Sequence, residues 1–172
     1  ITELKQRYRS AQVKAVIKVN AEKLQFNWLL GRDLVRKKAE ERWGTGVVKQ
    51  LSLDLRREFP DADGFSVSNL WYMKKWYCFY TQKEAVQKLQ RAVGELERAK
   101  FMQNEGTLPS IFTSVPWGQH VDIITKCHSI QEALFYIRQV VDKGLSRPAL
   151  QNCIKANLFS HQGKIVNNFT EK

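Results

Sequence analysis

The chain has 172 residues, of which 43% are hydrophobic and 26% are charged, the ordinary composition of a globular protein that buries a core. Its longest apolar runs are a few residues, and its charged N-terminus lacks a signal peptide, so the sequence argues against a membrane protein and against a secreted one. Three widely spaced cysteines, Cys78, Cys127 and Cys153, argue against a disulfide framework and favour a reducing, cytoplasmic compartment. The first residue is Ile1 rather than Met, which predicts a piece of a longer protein.

The net charge of +11, with a pI near 9.7, predicts a polyanionic partner, and nucleic acid is the commonest one. Residues 1–43 hold 11 Lys and Arg against 5 Asp and Glu, which is more than half of the excess. Two readings of this segment stay open: a solvated helix face, or a face that contacts phosphates.

Residues 3–42 contain no proline and one glycine, and they predict a long N-terminal helix. A helix of about 40 residues would be about 60 Å long. It is therefore expected either to break, with Asn20 as the candidate position, or to project and pair with another chain. The predicted stripe consists of Val13, Ile17, Asn20, Leu24, Trp28, Gly31 and Leu34.

A helix-turn-helix is predicted over residues 47–80. Thr45 is expected to cap its first helix, which carries an apolar face through Phe59, and residues 60–64 have turn chemistry. Ser66 is expected to cap a second helix that extends to Tyr80. Its predicted inner face consists of Val67, Leu70, Met73 and Tyr77.

The second half predicts more helices, so the fold class is all-α. Residues 81–107 are expected to form a helical linker, and 108–117 an extended connection with a short strand pair as an alternative. Helices are predicted over 118–127, 130–143 and 147–159. Ser129 is expected to cap the second of these helices, with Glu132 completing a capping box. Gly144 is expected to end that helix, and Ser146 to cap the third, with Pro148 in its first turn. Residues 144–150 repeat the pattern of 64–70, with Gly, an apolar residue, Ser and Leu at the same offsets.

The search for catalytic chemistry finds no candidate residues. His120, His128 and His161 lack the close pairing with cysteines that zinc sites have. Asp61 and Asp63 are better explained by turn formation than by metal binding. We therefore expect no cofactor, no metal and no catalysis by this chain.

The candidate DNA-binding residues lie on two helices. The outward side of the helix that begins after Ser66 is expected to carry Ser68, Asn69, Tyr72, Lys75 and Trp76, types that reach phosphates and base edges. The aromatic content of that helix equally favours burial or a subunit interface. The helix that begins after Ser146 has a cleaner polar side, formed by Arg147, Gln151, Asn152 and Lys155.

Several motifs resemble the N-terminal domain of the YhcG family of bacterial proteins. They are Trp28-x-x-Gly31-Arg32, Trp43-Gly44-x-x-Val47, Leu51-Ser52-x-Asp54-Leu55, Phe59-Pro60, Gly64-Phe65-Ser66-x-x-Asn69-Leu70, Pro116-Trp117-Gly118-x-His120 and Gly144-Leu145-Ser146-x-x-x-Leu150. The resemblance implies a helical region that precedes a PD-(D/E)XK nuclease domain, with the nuclease beginning near residues 167–169. The sequence itself divides into residues 1–80, a helical linker at 81–107 and a second helical unit at 108–172.

Two functions are compatible with these features. The first is a non-catalytic DNA-binding and targeting domain of a YhcG-like nuclease. The alternative is a protein-interaction or homo-oligomerisation module of the same nuclease, with a homodimer formed through the N-terminal helix.

Overall fold

The structure is a computed structural model, and it describes residues 1–37, 46–81 and 108–163. Within those ranges it contains helices and no β-strand, which confirms the all-α fold class. The α-helices are α1 (Thr2–Arg36), α2 (Gly46–Glu58), α3 (Val67–Thr81), α4 (Ser110–Thr113), α5 (Trp117–Lys126), α6 (Ile130–Lys143) and α7 (Arg147–Lys155), and a π-helical turn follows at Phe159–Gly163. The expected cap at Thr45, the helix end at Gly44 and the linker helix fall outside the described residues.

Helix α1 is long and unbroken, which confirms the predicted long helix and shows that the predicted break at Asn20 was wrong. The Asn20 amide donates hydrogen bonds within the chain, to the carbonyl oxygens of Thr113 at 2.8 Å and Val115 at 3.2 Å. These bonds satisfy a polar side chain in the predicted apolar stripe, so the helix passes through this position without interruption. Residues 1–19 are all exposed, and the helix buries side chains only from Leu24 onward.

Helices α1 and α3 lie against each other in antiparallel directions and approach most closely at Gly31. A Cβ atom on Gly31 would lie 2.3 Å from the carbonyl oxygen of Met73, closer than any ordinary contact. Glycine is therefore required here because two backbones meet. One turn away, the Trp28 ring packs edge-on against Trp76 and Tyr77, with ring centroids 5.1 Å and 5.0 Å apart.

The larger of two hydrophobic clusters joins residues from both ends of the chain. It combines α1 and α3 with α4, α5, α6 and α7, and Trp28, Trp76, Phe112, Tyr136 and Leu150 are fully buried in it. Residues of the predicted segments 1–80 and 108–172 thus share one core. A smaller cluster joins α2 to α1 and α3 around Val48, Leu70 and Met73.

Both predicted corners form with the expected chemistry. Gly64 and Gly144 have φ of 101° and 60°, the left-handed region that favours glycine. The Ser66 and Ser146 hydroxyls accept hydrogen bonds from the backbone N–H groups of Asn69 and Ala149, so each caps the following helix.

The predicted cap of α6 is also confirmed. The hydroxyl of Ser129 accepts a hydrogen bond from the N–H of Glu132 at 3.1 Å. The Glu132 carboxylate accepts from the N–H of His128, one residue before the position that a capping box uses.

The predicted extended connection over residues 108–117 was wrong. Ser110–Thr113 form the short helix α4, which Pro109 begins and whose Phe112 ring is fully buried. Proline is suitable at this position because a helix start needs no N–H there. The β-branched and aromatic residues that suggested a strand are there to fill the core.

Candidate nucleic-acid interface

The outward side of α3 is a narrow strip, because α1 and α5 cover the rest of the helix. Ser68 and Lys75 are exposed, and Tyr72 is half-buried. Lys74, adjacent to this strip, lies over the Trp71 ring with its Nζ 5.0 Å from the ring centroid. The predicted residues Ser68, Tyr72 and Lys75 therefore do reach the surface, but Tyr72 only in part.

Asn69 lies on the same helix and its side chain is used within the fold. Its Oδ1 accepts a hydrogen bond from the Trp117 indole N–H at 2.8 Å, and its Nδ2 donates to the Gly64 carbonyl oxygen. Asn69 thus ties the α2–α3 corner to the first residue of α5. The expectation that Trp76 faces outward was wrong, because its ring is fully buried between Trp28, Trp117 and His120.

Helices α5, α6 and α7 pack against one another, and one side of α7 is exposed. Leu150 is fully buried and anchors α7, while Gln151, Asn152 and Lys155 are exposed. The buried Gln119 side chain donates to the carbonyl oxygen of Leu145 at 2.8 Å and fixes the α6–α7 corner to α5. Residues 144–146 thus form a short turn between two helices, as in a helix-turn-helix, and the second helix has an accessible side.

The first turn of α7 carries a charge cluster that sequence reasoning missed. The Arg147 Nε and Nη2 groups donate to the two carboxylate oxygens of Asp122 at 2.8 Å and 3.1 Å, and the Gln151 amide donates to Asp122 at 3.0 Å. This fork-like pairing with Asp122 raises the pKa of Arg147. Gly118 gives the guanidinium its space, since a Cβ there would lie 2.9 Å from Arg147 Nη1.

Two of the predicted α7 residues, Arg147 and Gln151, are thus brought together on one carboxylate, while Lys155 stands apart and exposed. Asp122 lies 25 residues from Arg147, in a different helix. No local pattern marks such a pairing in a sequence. The nearest indication in the sequence was Gly118, because the Arg147 guanidinium occupies the space where a side chain at that position would lie.

The N-terminal half of α1 is a basic exposed surface. Residues 1–19 hold five Lys and Arg against one Glu, and the Arg7 guanidinium pairs with Glu3 at 2.6 Å. The remaining basic side chains, Lys5, Arg9, Lys14 and Lys18, have no partner among the described residues. This half of α1 is therefore a rival to α7 as a contact surface for a polyanion.

The buried His120 serves the core. Its Nε2 lies 2.9 Å from the carbonyl oxygen of Phe112, which can only accept, so Nε2 carries the proton. Burial lowers the pKa of His120 to about 4, and the backbone hydrogen bonds to Phe112 and Val115 offset only part of this effect. The ring is neutral at pH 7 and is packed among Trp76 and Phe112.

In the part of the chain that the structure describes, no three His, Cys, Asp or Glu side chains are grouped to hold a metal ion. Asp63 lines an open cleft of about 600 Å³ at the α2–α3 turn, and Arg56 and Arg57 line the same cleft. None of the described helices is long and apolar enough to cross a membrane.

Comparison with known proteins gives one match. No curated protein and no solved structure matches the chain. A family model for the DUF1016 N-terminal domain, which is the YhcG-like family, matches residues 3–161. That match covers nearly the whole chain, from the start of α1 to the π-helical turn, so the chain belongs to the DUF1016 N-terminal domain family.

Proposed function

We propose that this chain is a DNA-binding and targeting domain, and that its contact helix is α7. The observation that carries the proposal is the exposed polar side of α7, which packs against α5 and α6, in a chain of net charge +11. In helix-turn-helix proteins the first residues of the second helix meet the major groove. Arg147, Gln151 and Lys155 occupy the first three turns of α7 and are types that bind phosphates and base edges.

Helix α3 supplies a secondary contact in this proposal. Ser68, Tyr72 and Lys75 are accessible for phosphate contacts, whereas Asn69 acts by holding the α2–α3 corner against Trp117. The narrow strip and the buried Trp76 favour α7 over α3 as the reading helix.

A salt-titrated binding assay with a fluorescent duplex tests the proposal. Binding at low salt is expected to weaken steeply as salt rises, because each neutralised phosphate contributes about −0.9 to the slope of log K against log salt. Lys155→Ala is expected to reduce that slope by about one such unit, whereas Lys49→Ala, an exposed lysine on α2, is the matched control. No binding at low salt, or equal effects of both variants, would overturn it.

The proposal extends to a nuclease partner in the same protein. Its support is the resemblance to YhcG-like proteins, together with the absence of a metal-binding group among the described residues. The domain then positions cytoplasmic DNA for a PD-(D/E)XK domain and does not cut it. Incubation of this chain with linear duplex and Mg²⁺ or Mn²⁺ is expected to leave the DNA intact. Cleavage that disappears in Asp61→Ala with Asp63→Ala would contradict the non-catalytic assignment.

A second candidate function is a protein-interaction module, and the exposed half of α1 favours it. Leu4, Tyr8 and Val19 expose 67%, 66% and 69% of their surface, and exposed apolar groups in a row mark interaction surfaces. A homodimer through α1 is one form of this function. Sedimentation of the chain at micromolar concentration tests it, and a monomer at every concentration would exclude the homodimer.

A further inference from the structure

The exposed half of α1 carries an apolar stripe of its own. Leu4, Tyr8, Ala11, Ala15 and Val19 follow one another at intervals of three or four residues, so they share one side of the helix. We call these five residues the outer stripe. All five are exposed, so none of the described residues covers them.

The outer stripe is not a continuation of the core-facing side of α1. The core-facing side consists of Leu24, Asn27, Gly31 and Leu34, which are buried against α3 and its neighbours. At about 100° per residue, the outer stripe lies about 150° around the helix axis from that side. Val13 and Ile17, in contrast, extend the core-facing side toward the N-terminus. The outer stripe therefore points away from this domain.

Basic side chains flank the outer stripe on both sides. Lys5 follows one edge, and Lys14 and Lys18 follow the other. The only acidic residue in this half, Glu3, is paired with Arg7. In a pair of helices, such flanking positions meet the flanking positions of the partner and select it by charge.

We propose that the outer stripe binds an acidic amphipathic helix of another polypeptide, whose apolar side covers the stripe and whose Glu or Asp residues face the three flanking lysines. The inference deepens the second candidate function and is independent of DNA binding. Charge decides against a second copy, because two such stripes would place lysines opposite each other in either orientation.

Two synthetic helical peptides test the proposal by fluorescence anisotropy with the full chain and no nucleic acid. Both have leucine at heptad positions a and d, and they carry either glutamate or lysine at e and g. The glutamate peptide is expected to bind at least about tenfold more tightly than the lysine peptide, because opposite charges attract and like charges repel at these positions. Lys5→Glu with Lys14→Glu is expected to abolish that preference.

Substitutions within the outer stripe test whether the stripe, and not another side of α1, binds the peptide. Leu4→Ser with Tyr8→Ser is expected to weaken the glutamate peptide at least about tenfold, whereas Val13→Ser, an exposed residue on the opposite side, leaves binding unchanged. Equal binding of both peptides, no binding, or an equal effect of Val13→Ser would overturn the proposal. A dimer that dissociates in the Leu4→Ser, Tyr8→Ser variant would identify a second copy as the occupant instead. Because the duplex assay is run separately on α7 variants, DNA binding and peptide binding can fail independently.

Discussion

Gly31→Ala is expected to destabilise the protein by about 2 kcal/mol, although alanine is the better helix former. The added Cβ would lie 2.3 Å from the Met73 carbonyl oxygen and 2.8 Å from its carbon, where ordinary contacts begin near 3.4 Å. Both obstacles are backbone atoms, so neither can rotate away. Helices α1 and α3 must therefore separate by about 1 Å for the methyl group to fit.

The size of the stability loss follows from the packing contacts between α1 and α3 that this separation weakens. A gap of about 1 Å removes up to half of the dispersion energy of each contact that it opens, and Trp28, Trp76 and Leu70 all lie fully buried beside this crossing. A cost near the upper end of the range for overpacking, about 3 kcal/mol, is expected. The helix propensity of alanine returns about 1 kcal/mol.

Thermal unfolding followed by circular dichroism measures the outcome. A loss of about 2 kcal/mol corresponds to a Tm about 4–8 °C lower for a chain of this size. Gly46→Ala is the matched control, since nothing lies within 4 Å of a Cβ at that position, and its Tm should stay the same or rise. A Gly31→Ala protein that melts at or above the parent temperature would refute the close approach of the two backbones.

Three further predictions concern polar groups. Asn69→Ala is expected to lower the stability by about 1–3 kcal/mol, because the Trp117 N–H loses its acceptor, and to leave duplex affinity unchanged. Burial lowers the pKa of His120 to about 4, so the unfolded chain binds a proton more readily than the folded one. The contribution of the neutral ring to stability is therefore complete above pH 6.5 and falls by about 3 kcal/mol as the pH drops to 4. His120→Gln should remove this pH dependence, as measured by urea titrations. Asp122→Asn is expected to release Arg147 for a phosphate and to raise duplex affinity at 0.1 M salt about five- to tenfold.

Each of these changes has a control of the same type. Asn152→Ala, His128→Gln and Asp142→Asn alter exposed residues. The first should leave the Tm unchanged, and the second should keep the pH dependence of the parent. The third should change duplex affinity less than Asp122→Asn does. An Asp122→Asn protein with unaltered affinity would place Arg147 away from the DNA.

The predictable part of the fold is the part with a local physical cause. Gly144 and Ser146 at one corner, and Ser129 at the start of α6, could be assigned because a left-handed turn and an unsatisfied N–H group demand particular residue types within a few positions. The predictions that were wrong depended on contacts between residues far apart in the sequence. A break near Asn20 was one of the two expectations for α1, and it failed because the hydrogen-bond partners of Asn20, Thr113 and Val115, lie more than 90 residues away in the sequence.

The candidate site shows the same division. Lys155 was expected on the polar side of its helix, and periodicity alone was enough to place it at the surface. Periodicity failed to place Trp76 because α1, α2 and α5 pack against α3. The helix therefore has no wide polar side that would reveal its orientation. The pairing of Arg147 with Asp122 depends on how α5 and α7 meet, which no spacing within either helix encodes.

The uninterrupted course of α1 past Asn20 has a mechanical consequence. The outer half extends about 27 Å from the core as one continuous rod, so a molecule held on it is fixed in both distance and direction relative to α7. Direction depends on residue count, because each residue inserted into the rod would turn everything N-terminal to it by about 100° while lengthening it by only about 1.5 Å. The helix thus sets the orientation of any molecule bound to its outer half, relative to the point where Asn20 is hydrogen-bonded to Thr113 and Val115.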